Sequence, residues 1–200
     1  SLLADALAGR PAVALVDSGV ATLQAAALDA LLADRPRLLV PAGEASKSVA
    51  ELERLARALL ALGLGRDGAL IAVGGGVCGD LCGFLAASYL RGIPFVQVPT
   101  TLLAQADASV RGKVAVNLPG AKNSLGRFHQ PLAVLADLGF LDSLPPRELA
   151  AGLAEIAKMA AVRDPALLTS LELAGATLCD PRSPALAAGL SARDVSKMLF

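Results

Sequence analysis

The chain has 200 residues, of which 54% are hydrophobic and only 3% aromatic, and its formal net charge is zero. That length suffices for one good core, or for one domain and part of another, built mainly from Ala, Leu and Val. Zero net charge leaves no electrostatic footprint for nucleic acid, and no apolar stretch reaches the roughly 20 residues of a membrane span. The opening residues, Ser1 to Ala6, lack the basic start of a signal peptide. Cys78, Cys82 and Cys179 are odd in number and have no matching Cys/His pair. They read as free thiols in a reducing cytoplasm rather than a zinc knuckle.

In chain order, residues 12–16 read as a buried strand ended by Asp17-Ser-Gly, and residues 22–33 as an amphipathic helix. A short strand over 38–40 is closed by Pro41, and a polar turn over 42–48 follows. Ser48 caps the next helix, which runs to about Leu62, with Glu51 as its capping-box partner. A strand over 69–73 ends at three glycines, a helix over 81–89 leaves them, and residues 95–98 form another strand. This alternation predicts an α/β fold with a parallel sheet covered by helices. Residues 102–131 are polar and without clear periodicity. A strand over 133–136 leads to Asp137, and everything from Pro145 onward reads as helical: residues 147–162, 165–174 and, after a Pro-containing loop at 178–184, 185–199. The domains expected are therefore an α/β unit over residues 1–143 and the start of an all-helical unit over residues 144–200.

Residues 70–83 carry the strongest chemical signal. An apolar run stops at Gly74-Gly75-Gly76, and Gly74, Gly76 and Gly79 satisfy G-x-G-x-x-G after a strand and opening a helix. Glycine lets the backbone turn sharply and leaves its N–H groups bare for a phosphate. The acid expected about 20 residues later for a ribose is absent. Asp17 and Glu44, each after an earlier strand, are candidates for that part, or else serve as a helix cap and a solvated turn. Ligands of parallel sheets bind beyond the carboxyl ends of the strands, which directs attention to Asp17, Glu44, Lys47, the glycines, and Thr100-Thr101.

Arg91, Arg111, Lys113, Lys122 and Arg127 are interleaved with Asp107, Asn117 and Asn123. Such cations on ordered loops suit a small anion bearing phosphate or carboxylate; otherwise they form a solvated loop. Glu155 and Lys158 share one face of a largely apolar helix. A buried carboxylate there requires a cation or a metal, the alternative being an intrahelical ion pair. His129 is the sole histidine and reads as a packing or capping residue, because a catalytic metal usually takes three protein ligands.

Taken together, Pro41-Ala-Gly-Glu-Ala-Ser-Lys47, Gly74-Gly-Gly-Val-Cys-Gly-Asp80, the segment from Leu90 to Leu103, Asp107-Ala-Ser-Val-Arg-Gly-Lys113, Lys122-Asn123, Phe128-His-Gln-Pro131 and Gly152-Leu-Ala-Glu-Ile-Ala-Lys158 resemble the 3-dehydroquinate synthase family. Order and spacing agree over roughly residues 10–165. The resemblance implies a Rossmann-like NAD-binding domain, followed by a helical domain that is incomplete here. Asp17, Glu44, Lys47, Gly75, Gly76, Val77, Asp80, Thr100, Thr101 and Lys122 would surround the cofactor. Asp107, Lys113, Asn123 and Lys158 would contact the substrate, and Arg91 would serve its phosphate across a homodimer. Glu155 would be one of three ligands to a catalytic Zn2+ or Co2+. The implied substrate is a phosphorylated keto-sugar acid, 3-deoxy-arabino-heptulosonate 7-phosphate. It is converted to 3-dehydroquinate and phosphate in the shikimate pathway, on the way to aromatic amino acids. Lys158-Met-Ala-Ala-Val-Arg-Asp164 is similar to the 2-epi-5-epi-valiolone-forming cyclases, the nearest alternative. A polyol-type dehydrogenase and a non-catalytic NAD-binding remnant are the others.

The chain departs from the family in three places. The family's metal site also takes two histidines from a His-rich motif that this sequence lacks, so the chain is expected to be a piece of a longer protein. Arg111 stands where the family usually has a glycine, and is expected to crowd the substrate, to force the turn out of positive φ, or to add an anion contact. Residues 178–200 match the family poorly and are given no role.

Overall fold

A computed structural model of the chain describes residues 1–178; Cys179 and the loop and helix expected after it lie outside the described residues. A short helix, α1 (Leu2–Leu7), carries too few residues for a periodic signal. The strands β1 (Ala12–Asp17), β2 (Arg37–Val40), β3 (Ala69–Gly74) and β4 (Phe95–Pro99) follow. They are joined by α2 (Ser18–Leu23), α3 (Ala25–Leu32), α4 (Val49–Ala61) and α5 (Gly76–Ser88). Next come the hairpin β5 (Lys113–Leu118) and β6 (Ala121–Phe128), the two-residue strand β7 (Ala133–Val134), and the helices α6 (Pro146–Arg163) and α7 (Pro165–Leu178). The sheet is parallel throughout, in the order β2-β1-β3-β4-β7, which is the Rossmann-like arrangement expected.

Alternation along the strands builds a core on each face of the sheet. Val13, Leu15, Leu70 and Ala72 pack on Leu55 and Leu59 of α4 and Leu81 and Leu85 of α5. Ala14, Val16, Ile71 and Val73 pack on Leu3 and Leu7 of α1 and Leu28 and Leu32 of α3. Each fully buried Leu contributes about 1.5–3 kcal/mol, so aliphatic side chains supply most of this core, with Phe84, Tyr89, Phe95 and Phe140 among them.

Four expectations are corrected. The helix over 22–33 is two helices, broken at Gln24 (φ −128°, ψ 35°), whose side-chain amide donates to Ser143 Oγ at 2.8 Å. The helix expected from residue 81 starts at Gly76, because the small residues of its first turn lie close on the sheet: a Cβ on Gly79 would stand 2.7 Å from Gln97 Oε1. The capping box at α4 is half formed. Ser48 Oγ accepts from the Glu51 N–H at 3.2 Å, but the Glu51 carboxylate turns to Arg54. Finally, residues 102–131 hold a π-helical turn, Ala104–Ala108, and the antiparallel hairpin. Val114 and Val116 of β5 are buried, while all eight residues of β6 are exposed, so half of the hairpin carries no burial pattern.

A bipartite candidate active site at the switch point of the sheet

The strand order reverses between β1 and β3, where a parallel sheet opens a crevice beyond its carboxyl ends. Asp17 ends β1 on one side of it. Its Oδ1 accepts from the N–H groups of Gly19 (2.8 Å) and Val20 (3.3 Å), capping α2. Gly74, Gly75 and Gly76 end β3 on the other side. No side chain caps α5, so the N–H groups of its first turn remain available to an anion. A Cβ on Gly75 would stand 3.0 Å from Thr101 Cγ2, so any side chain there would press on the Thr101 loop. Behind them Cys78 is fully buried, its thiol pushed up to about 12 by burial first and the nearby Asp17 charge second. Cys82 is raised for the same first reason, and both are inert packing groups.

Lys47 lies at the centre. It is 5% exposed, and its ammonium donates to the Asp80 carboxylate and to Asn123 Oδ1. Burial raises the Asp80 carboxyl above its ordinary value, and Lys47 draws it back. Asn123 is held at φ 52°, its N–H donating to Asn117 Oδ1 at 2.8 Å, while Asn117 Nδ2 donates to Glu44 Oε1 at 2.8 Å. One polar chain thus joins the loop after β2, the first turns of α5, and the hairpin.

Two cavities meet at Asp80. The first, about 660 Å³, is lined by every residue expected around the cofactor except Lys122. Thr100 Oγ1 is buried there with no partner among the described residues, an orphaned acceptor and donor that suits a polar ligand. The second, about 530 Å³, is lined by Asp107, Lys113 and Asn123 of the expected substrate residues, together with Arg111 and Arg127. Arg91, Lys122, Glu155 and Lys158 line neither cavity. Phe140, Ser143 and Glu148 line the first without any signal in the sequence; the 3-10 turn Leu138–Ser143 is carried over the crevice by the chain's path alone.

Arg111 does not force the turn out of shape. The positive φ falls on Gly112 (62°), and the Arg111 guanidinium donates to Asp107 and, at 3.3 Å, to Glu155 Oε1. Lys158 bonds the same Glu155 oxygen, so the intrahelical pair is present. His129 stacks on Phe95, with ring centroids 5.4 Å apart, and hydrogen-bonds the Ile93 carbonyl oxygen at 3.0 Å, in the packing role expected of it. Among the described residues no three His, Cys, Asp or Glu groups converge to hold a metal. Glu155 offers one carboxylate, already met by two cations, which is not a coordination set.

The fold and the paired cavities define a Rossmann-like α/β scaffold with a glycine-lined crevice opening onto a cationic pocket. The family model for the N-terminal part of 3-dehydroquinate synthase matches residues 37–151. The 3-dehydroquinate synthase of Opitutus terrae is 48% identical over 174 residues, which is 87% of this chain and 48% of that protein. The structure of ValA, the 2-epi-5-epi-valiolone synthase of Streptomyces hygroscopicus subsp. jinggangensis with NAD+ and Zn2+ bound, is 36% identical. It superposes with a TM-score of 0.84, covering 100% of this chain and 56% of that one. A 2-deoxy-scyllo-inosose synthase complexed with carbaglucose-6-phosphate, NAD+ and Co2+ is 35% identical with a TM-score of 0.68, over 74% of this chain and 41% of that one. The chain belongs to the 3-dehydroquinate synthase family. It spans about half the length of the curated relatives it matches. No helix among the described residues is long and apolar enough to cross a membrane.

Proposed function

We propose that this chain is the NAD-binding part of a phosphate-eliminating lyase that makes 3-dehydroquinate from 3-deoxy-arabino-heptulosonate 7-phosphate, acting in the shikimate pathway. The observation that carries this reading is the meeting of the two cavities at Asp80, beside Lys47 and Asn123. A dinucleotide in the first would place its reactive end against a substrate in the second. The bare N–H groups of the α5 first turn hold the pyrophosphate, and Glu44 or Asp17 holds a ribose. When bound, NAD+ supplies the acceptor for a hydride from the substrate's ring alcohol. Lys113 and Arg127 bind the substrate's phosphate or carboxylate, Asn123 orients a hydroxyl, and Asp107 lies in reach of a proton. By the family resemblance Lys122 of β6 contacts the cofactor and Lys158 of α6 the substrate, although neither lines a cavity. Glu155 would be one ligand of a divalent metal, which would polarise the reacting hydroxyl, but the described residues do not complete such a site.

The proposal includes a cytoplasmic homodimer in which Arg91, exposed beside α5 and outside both cavities, serves a partner's phosphate. A second reading, a valiolone-type cyclase, is supported by the match to ValA, which covers 100% of this chain and 56% of that one. Purified protein from the complete reading frame tests both. Phosphate release from the keto-sugar acid phosphate, dependent on NAD+ and without net NADH, is expected. Release only from a heptulose phosphate that lacks the carboxylate favours the second reading. Net NADH from a polyol indicates a dehydrogenase, and NAD+ binding with no turnover of either sugar indicates a remnant.

A further inference from the structure

Asn117 lines neither cavity, yet its side chain touches both halves of the site. Its Oδ1 accepts from the Asn123 N–H and its Nδ2 donates to Glu44 Oε1, each at 2.8 Å. The partners fix which end is which: a backbone N–H can only donate, and an ionised carboxylate only accept. The backbone around it is equally constrained. The β5–β6 register breaks between Val116 and Leu118, and such an irregularity re-aims a side chain. The Asn117 N–H also donates to the Lys47 carbonyl oxygen at 2.9 Å, stitching the hairpin to the loop after β2. Asn123, at φ 52°, sits in the left-handed region that asparagine tolerates better than most residues, and Asn117 holds its N–H there.

We propose that Asn117 is a positioning residue that couples the two cavities: one carboxamide sets the carboxylate of Glu44 for the cofactor and the backbone of Asn123 for the substrate. This rests on the NAD+ reading for its Glu44 half only. Asparagine is required because the position needs a donor and an acceptor on a short stem. Aspartate keeps the acceptor towards Asn123 and repels Glu44, alanine loses both, and leucine fills the space without either.

A double-mutant cycle on NAD+ affinity, read by calorimetry on the folded chain, tests the cofactor half. Asn117→Ala and Asn117→Asp each weaken NAD+ about tenfold in the wild-type background, and less than about twofold in Glu44→Ala, where there is no carboxylate left to set. Equal losses in both backgrounds, or no loss in the wild type, overturn it, because a merely structural role would act in either background. Amide hydrogen exchange tests the other half without any cofactor. The Asn123 amide keeps its protection in Asn117→Asp and loses it in Asn117→Ala; unchanged protection in Asn117→Ala overturns that half. A folded wild-type chain that binds no NAD+ defeats the proposed function and the Glu44 half together, and the exchange readout still decides the Asn123 half.

Discussion

At the residue scale the site turns on a buried lysine. Lys47 satisfies Asp80 and Asn123 together, so Lys47→Met leaves a largely buried carboxylate without its cation. The expected loss is about 2 kcal/mol in urea unfolding. The Asp80 carboxyl is raised above 3.8 by burial, with Lys47 opposing the rise. Its folded form therefore keeps a proton that the unfolded chain has released. That contribution to stability is complete below the unfolded value and is lost as pH rises through the raised folded value. Carbon NMR of the Asp80 carboxyl should show a midpoint above 3.8 in the wild type and higher still in Lys47→Met; a midpoint unmoved by the substitution contradicts the pairing. Arg111 is the opposite case, with a side chain 46% exposed. Arg111→Gln should change stability by less than about 1 kcal/mol, with the salt dependence of a surface pair. The expected residues that line the first cavity were legible because glycines, a strand end and a lone acid leave short signatures. Asn117 was not, since its role depends on a register irregularity and on two partners 73 and 6 residues away.

At the element scale the parallel strands were legible because strands buried on both faces read as continuous apolar runs. The hairpin was not. It is stitched through Val114 and Val116 beneath α5, while β6 shows solvent on every residue. The break at Gln24 was hidden because Ala and Leu on both sides favour one helix, and only the distant Ser143 explains the interruption. Helix α6 reaches the site through a close contact: a Cβ on Gly152 would stand 2.7 Å from Leu102 Cβ and 2.8 Å from the Leu103 nitrogen. Gly152→Val should lift α6 from the π-helical turn and cost about 1–3 kcal/mol. It should also separate Glu155 from Arg111, which urea unfolding of Gly152→Val alone and combined with Arg111→Gln will reveal as non-additivity.

At the scale of the whole molecule, the sheet supplies the crevice, the hairpin supplies the cationic wall, and the polar chain from Glu44 to Asp80 joins them. The sequence made the first of these visible through its alternation and glycines. Which residues share one wall became visible only with the fold, as the separation of Arg91 and Lys122 from both cavities shows. The central claim is that the first cavity holds NAD+, and calorimetric titration of the chain with NAD+ tests it most directly. One NAD+ is expected to bind per chain, and Gly75→Val, whose branched side chain must crowd Thr101, should abolish binding while the protein still melts cooperatively. A folded wild-type chain that takes up no NAD+, or a Gly75→Val chain that binds it equally well, contradicts the account.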